Sequence, residues 1–301
     1  MPSEPLQSLH VITIGYLGSK RAVDLDPVLS SYAEHEAYSK ASVPFAVAEP
    51  VFPEQERTAE ETDNLGILGG KIAEAVAQGR HAGSAVLMTG GNCTHITGVL
   101  GGLQDAHGPE AKVGLVWFDA HGDFNTPHTT LSGMLGGMPV AVCAGLAYPR
   151  WRAQSHIAAP LPTDRIVMVD VRNLDEPEER LIRATDVTVV PVEGNAFEHA
   201  ISDLAECCDL IYFHIDSDIL DETLVPNHHT KEPDGPGMEQ VGAAIETVMA
   251  TGKVAAFAVV SVFGNGAGSE VAIASGVELV QRGLEAWARH GTPALVTPPS
   301  R

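Results

Sequence analysis

The chain has 301 residues, 44% of them hydrophobic, with a formal charge of −21 and an isoelectric point of about 4.8. That length and apolar fraction allow a sizeable core in one large α/β domain or two small ones. The acidity argues against a nucleic-acid or anionic-membrane binder, since both need clustered Lys and Arg. The four cysteines, Cys93, Cys143, Cys207 and Cys208, follow no disulfide or zinc-knuckle spacing. No apolar segment approaches the roughly 20 residues of a membrane-spanning helix, and the N-terminus lacks a basic region ahead of its short apolar run. These features together predict a reduced, cytoplasmic protein.

Taken in chain order, short β-branched and apolar runs recur: "HVITIGYL", "SAVLMTG", "VGLVWFDA", "RIVMVDVR", "VTVVPV", "LIYFHIDSDIL" and "VAAFAVVSVF". Each has strand length. Longer amphipathic stretches separate them. "NLGILGGKIAEAVAQGRHAG" has helical spacing up to Gly83, "EPEERLIRATD" opens on Pro177 and acids, "GMEQVGAAIETVMATGK" runs to Gly252, and the last helix ends at His290 and Gly291. Strand–helix alternation predicts an α/β fold with a mostly parallel sheet and helices on both faces. With no repeat, linker or composition break, one domain over residues 1–301 is expected. Ligands of such sheets bind beyond the carboxyl ends of the strands, so the residues that follow each strand carry the functional argument.

After "VGLVWF" comes Asp119-Ala-His121-Gly-Asp123-Phe-Asn125, and after "LIYFHI" comes Asp216-Ser-Asp218. Strand alternation, continued past the strand ends, puts Asp119, His121 and Asp123 on one side and pairs Asp216 with Asp218 in the same way. Charged groups there are costly unless paired or bound to a cation. Few Lys or Arg lie nearby in sequence. Oxygen-rich ligation with one imidazole suits Mn²⁺ or Fe²⁺ better than Zn²⁺, and five ligands on two strands fit a two-metal site that activates water. The third strand-end segment, "TGGNCTHITGV", leaves Cys93 open as a buried filler, a nucleophile or a ligand, with His95 as an alternative donor.

These boxes resemble those of the ureohydrolase family: arginase, agmatinase, formimidoylglutamase and relatives. "FDAHGDFNTP" resembles its Asp-Ala-His-x-Asp-x-Asn box and "HIDSDILD" its Asp-x-Asp box. "TGGNCTH" falls where the family has Gly-Gly-Asp-His-Ser, while "VRNLDEPE" and "TKEPDGPGM" resemble two further loops. The motifs occur in family order over roughly residues 66–287. The resemblance implies a three-layer α/β/α fold and two Mn²⁺ ions. It implies attack by a metal-bridging hydroxide on a guanidino-type carbon. In that scheme Asp119 and Asp216 contact both metals, Asp123 completes one site, and His121 and Asp218 complete the other. Cys93 takes the position of the remaining family imidazole. Asp123 and His121 are the expected catalytic residues, with Asp123 orienting water and taking its proton.

Three departures bear on substrate. The thiol at Cys93 resembles the N-hydroxyarginine hydrolase branch, which also shares "HGDFNTPxTT" and "GGM". Gly136 stands where arginases carry a proton-shuttling His, with His128 nearby in sequence. Ser261 stands where guanidino-specific relatives have a Glu, and a hydroxyl cannot neutralise guanidinium. Glu270 is expected to start the last helix, leaving Glu193 as a counter-charge to test. The resemblance further assigns Asn125 and Ser132 to a substrate carboxylate and Asp175 to an α-amino group, although Asp175 also suits a helix N-cap. His228 and His229 are left as pocket-entrance or solvated side chains. The expectation is a metal-dependent hydrolase of a small guanidino-, hydroxyguanidino- or amidine-like compound, with no nucleic-acid or membrane partner and a trimeric or hexameric state by analogy. The alternative is a non-catalytic or ligand-binding relative with an altered metal site.

Overall fold

Alternation inside the apolar runs decides the architecture. In the strand Val113–Phe118, Val113, Leu115 and Trp117 enter one core while Val116 and Phe118 enter another, and every residue is buried. A strand buried on both faces needs helices on both faces. The computed structural model describes residues 3–295 and has that three-layer α/β/α arrangement.

The main sheet has eight strands: β1 (Leu9–Ile14), β2 (Phe45–Ala48), β3 (Ala85–Gly90), β4 (Val113–Phe118), β5 (Ile166–Val169), β6 (Thr188–Val190), β7 (Leu210–Asp216) and β8 (Val254–Val260). All pairs are parallel, in the order β2-β1-β3-β8-β7-β4-β5-β6. On one face, α1 (Asp26–Glu34) packs with the helices Asn195–Cys207, Met238–Met249 and Ser269–His290 through residues such as Tyr32, Phe197, Ile245 and Trp287. On the other face lie α2 (Glu61–His81) and α3 (Ile96–His107), with Leu68, Ile72, Val99 and Leu103 against the sheet.

Several elements differ from expectation. The run "HVITIGYL" is not one strand. β1 stops at Ile14, and Tyr16–Leu17 turns back to pair antiparallel with Lys20–Arg21. The edge strand β2 and the helices α1, α3 and Asn195–Cys207 were not anticipated. In α3 nearly every residue is buried, so its sequence lacks the polar face that marks a surface helix. Its glycines serve close approach instead. A Cβ at Gly98 would lie 2.6 Å from the Gly69 carbonyl oxygen, and one at Gly102 2.5 Å from that of Ala73.

The four central strands, β3, β8, β7 and β4, present their carboxyl ends side by side. The residues that follow them are Gly91 to Cys93, Ser261, Ser217 with Asp218, and Asp119. The sheet order therefore gathers segments far apart in sequence onto one rim.

Candidate metal centre

At the end of β4, Asp119 Oδ1 accepts from the His121 backbone N–H at 2.6 Å. The His121 ring turns back, with Nδ1 3.3 Å from Asp119 Oδ1 and 3.1 Å from Asp218 Oδ2. Asp218 is oriented from two sides. Its backbone N–H donates to Asp216 Oδ1 at 3.1 Å, and its Oδ1 accepts from the Ala120 N–H at 3.2 Å. From β3, the Cys93 thiol donates to Asp216 Oδ2 at 2.8 Å and lies 3.5 Å from Asp119 Oδ2. Three sets of donor atoms lie close enough to share a cation, each set within 4.8 Å: Cys93–Asp119–Asp123, Asp119–His121–Asp218 and Asp216–Asp218–His228.

The route to this convergence corrects the sequence reading. Strand alternation does not continue past Phe118. His121 instead forms an isolated bridge with Asn173, and Asp123 adopts a left-handed backbone with φ +47°. A non-glycine residue in that region is strained and persists only where its surroundings hold it. Here the next N–H, of Phe124, donates to the buried Glu178 at 2.8 Å, which anchors the turn.

The cleft above these residues encloses about 290 Å³, and among the described residues no Lys or Arg lines it. Asp119, Asp123, Asp216 and Asp218 are all buried. Desolvation, then mutual repulsion, raises the Asp119 carboxyl, and desolvation raises that of Asp123. Burial would lower His121, but the hydrogen bonds and charges of Asp119 and Asp218 push it up to about 12. Burial followed by the charge of Asp216 drives the Cys93 thiol upward. Four buried carboxylates and a thiol without a countercation are costly. A divalent cation would neutralise the carboxylates and favour the thiolate, so the donor set fits metal binding.

A model of the arginase family matches residues 30–282. The chain belongs to the arginase family. It is 33% identical over 179 residues to the N(omega)-hydroxy-L-arginine amidinohydrolase of Streptomyces lavendulae, covering 60% of this chain and 61% of that one. It is 26% identical over 224 residues to the arginase of Bacillus caldovelox, covering 69% of this chain and 74% of that protein. Among solved structures, Entamoeba histolytica arginase in complex with L-ornithine superposes with a TM-score of 0.81 at 18% identity, over 93% of this chain and 99% of that one. The chain is a hydrolase of non-peptide C–N bonds, of the family's metal-dependent kind.

The side chains on which the sequence left alternatives open take distinct places around this cleft. His95 turns away from the carboxylates. Its Nδ1 accepts from the Asn92 N–H at 3.1 Å and its Nε2 donates to the Gly18 carbonyl at 2.9 Å, so both nitrogens are occupied. His128 is exposed and does not line the cleft, and neither does Glu193. The nearby acids that do are Asp175 and Glu178, while Glu232 stands 3.4 Å from His121 Nε2. Glu270 lies in the first turn of Ser269–His290, as expected.

The residues assigned to substrate lie along the cleft. Asn125, Ser132, Asp175, Gly136 and Ser261 all line the cleft. Asp175 holds the N-cap position of Glu176–Arg183, yet its side chain makes no capping bond. It accepts instead from Asn125 Nδ2 at 3.3 Å and the Leu131 N–H at 3.2 Å. Ser261 is left-handed, with φ +59°, and its hydroxyl donates to Asp216 Oδ2 at 2.5 Å. That leaves Ser261 only acceptor capacity toward a substrate.

Sequence reasoning missed two supports. Arg172 donates to the carbonyls of Asp218 at 2.9 Å, Ile219 at 3.2 Å and Pro233 at 3.2 Å, as well as to Asp170. It thereby clamps the loop that carries Asp218. His214 stacks on Trp117 at 4.2 Å and pairs with the Tyr212 hydroxyl, with Nε2 3.6 Å from Cys93 Sγ. "VRNLDEP" and "HID" were visible as motifs, but nothing in their spacing identified these contacts.

Proposed function

We propose that the chain hydrolyses a C–N bond of a small guanidino-, hydroxyguanidino- or amidine-like compound at a two-cation site formed by Cys93, Asp119, His121, Asp123, Asp216 and Asp218, within a single domain over residues 1–301. The observation that carries this reading is the convergence of one thiol, one imidazole and four carboxylates on a rim free of Lys and Arg among the described residues. Mn²⁺ is the first candidate for an oxygen-rich set, with Fe²⁺ close behind. The thiol moves the preference toward Fe²⁺ or Zn²⁺ relative to an all-oxygen and imidazole site. Two cations held by these residues would supply a water of lowered pKa and a positive field for developing negative charge.

The side chains do the rest. Asp123, held in its strained turn, orients the nucleophile and takes its proton, and His121 fixes the paired carboxylates. Asn125, Ser132 and Asp175 hold the polar end of the substrate at the mouth. Ser261 stands where relatives have the Glu that meets a guanidinium, and its hydroxyl is committed to Asp216, so this position offers no countercharge. A neutral or weakly basic group, such as a hydroxyguanidine or amidine, therefore fits better than a full guanidinium. A trimer or hexamer in the cytoplasm is proposed by family analogy alone.

The test is a turnover screen of Mn²⁺-loaded protein against arginine, N-hydroxyarginine, agmatine, formimidoyl compounds and small amides, with the released fragment identified as urea, hydroxyurea, ammonia or formamide. Arginine is expected to turn over slowest among the guanidino-type compounds. Preference for arginine over all others would overturn the substrate reading, and no release from any of them would overturn the guanidino and amidine class.

A further inference from the structure

Beyond the six donors above, the loop after β7 brings another ligand-type side chain to the same rim. His228 is 7% exposed. Its backbone N–H donates to the Val225 carbonyl at 2.9 Å, and the preceding Asn227 side chain ties the loop to the carbonyls of Phe263 and Asn265 at 2.8 and 2.7 Å. The ring packs on Phe263 at 5.2 Å. The imidazole is therefore held in place by its neighbours.

Its two nitrogens are in different situations. Nε2 is buried and has no hydrogen-bond partner. It approaches Asp216 Oδ1 to 3.2 Å without the alignment of a hydrogen bond. Nδ1 accepts from the Thr230 N–H at 3.2 Å and lies 3.4 Å from Thr230 Oγ1 and 3.6 Å from Asp218 Oδ2, and Thr230 Oγ1 itself donates to Asp218 at 3.2 Å. A buried nitrogen without a partner is the exception in folded proteins and calls for an explanation. This one lies beside Asp216, and His228, Asp216 and Asp218 together form a donor set. Cys93 touches Oδ2 of Asp216, whereas His228 approaches Oδ1.

We infer that His228 is a further metal-ligating side chain, binding through Nε2 a cation that Asp216 and Asp218 also hold. The assignment rests on the two-cation reading above. It returns to the site an imidazole that Cys93 removes, from a different loop. In that tautomer Nδ1 carries the proton, gives up the bond from the Thr230 N–H and turns its own N–H to Thr230 Oγ1 or Asp218 Oδ2, as metal-bound imidazoles usually donate their other N–H. The competing arrangement has Nδ1 accepting from the Thr230 N–H and Nε2–H donating to Asp216. His228 would then be an outer support and no ligand.

The test measures cation stoichiometry and affinity by calorimetry, and the ligand-field absorption of Co²⁺-loaded protein, for the native chain, His228→Ala and His228→Gln, with circular dichroism confirming the fold of each. Glutamine keeps a donor for Asp216 but is a poor ligand, so it separates the two arrangements. Ligation predicts that both variants weaken one of the two cations by at least about tenfold and change the Co²⁺ spectrum. Two cations bound by His228→Gln with native affinity and an unchanged spectrum would overturn ligation while leaving the two-cation site intact. Failure of the native chain to bind two cations would overturn the parent reading and this inference together.

Discussion

Cys93 is the residue on which the account turns. Its sulfur contacts two of the carboxylates, and without a cation its surroundings favour the protonated thiol. Cys93→Ala is expected to lose one cation and most activity, whereas Cys93→His is expected to keep two cations and shift preference away from thiophilic metals. Metal analysis after loading with mixed Mn²⁺ and Zn²⁺ checks both. An unchanged metal count and rate in Cys93→Ala would remove Cys93 from the site. Gly136 offers a complementary experiment. A Cβ there meets nothing within 4 Å, so Gly136→His should fold normally. If the family's proton shuttle is what Gly136 lacks, that variant should raise kcat at unchanged metal content. The residue types of the two aspartate boxes were legible in sequence because each is compact and follows an apolar run. His228 was not, because its place near Asp216 depends on the path of a loop rather than on spacing. The role of Asp175 was undecided for a similar reason. An N-cap position allows a capping side chain but does not compel one, and this carboxylate turns to Asn125 instead.

Among the elements, α3 and the clamp at Arg172 hold the site in place. Cys93 opens the 3-10 turn Cys93–His95 that leads into α3, and α3 packs on α2 through glycines. Gly98→Ala puts a Cβ against the Gly69 carbonyl and is expected to cost about 1–3 kcal/mol by overpacking. Denaturant unfolding reads that loss, and cation affinity should fall with it as the Cys93 turn shifts. Arg172→Lys keeps the charge but not the planar fork that reaches several carbonyls. It should loosen the Asp218 loop and raise the dissociation constant of a bound cation with little change in secondary structure, as calorimetry with circular dichroism would show. The strands that feed the site, β4, β7 and β8, were legible because their β-branched and aromatic runs are bounded by turn residues. α3 was not, because a helix buried between layers has no polar stripe to betray its period. The short edge strand β2 sits between prolines and exposes most of its residues, so neither length nor alternation marked it.

For the molecule as a whole, the buried acid cluster couples stability to pH and to metal. The carboxyls of Asp119 and Asp123 and the imidazole of His121 all hold their protons more tightly when folded. Their stabilising contribution is complete below each ordinary value and is lost as pH rises through the raised one. Burial has the opposite effect on His95, lowered to about 4, and on His214, lowered to about 3. Their unfolded forms take up protons below the ordinary 6.5 and their own contribution falls there. Metal-free protein should therefore gain Tm as pH drops from about 8.5 to about 7, and the gain should level off below about 6.5, where the two histidines offset the two carboxyls. Bound cation should reverse the upper limb, because ligands must shed protons to bind. Thermal scans of chelated and Mn²⁺-loaded protein across that range check the sign. A Tm for chelated protein that climbs steadily from about pH 7 to about pH 8.5 would contradict it.

The central claim, a two-cation site on the rim of β3, β8, β7 and β4, is tested most directly by counting metals per chain after Mn²⁺ loading and exhaustive dialysis, in the native protein beside Asp119→Ala and Asp216→Ala. The account predicts about two per native chain and fewer than about one in either variant, since both aspartates are assigned to both cations. Fewer than about one in the native chain, or two retained in either variant, would contradict it.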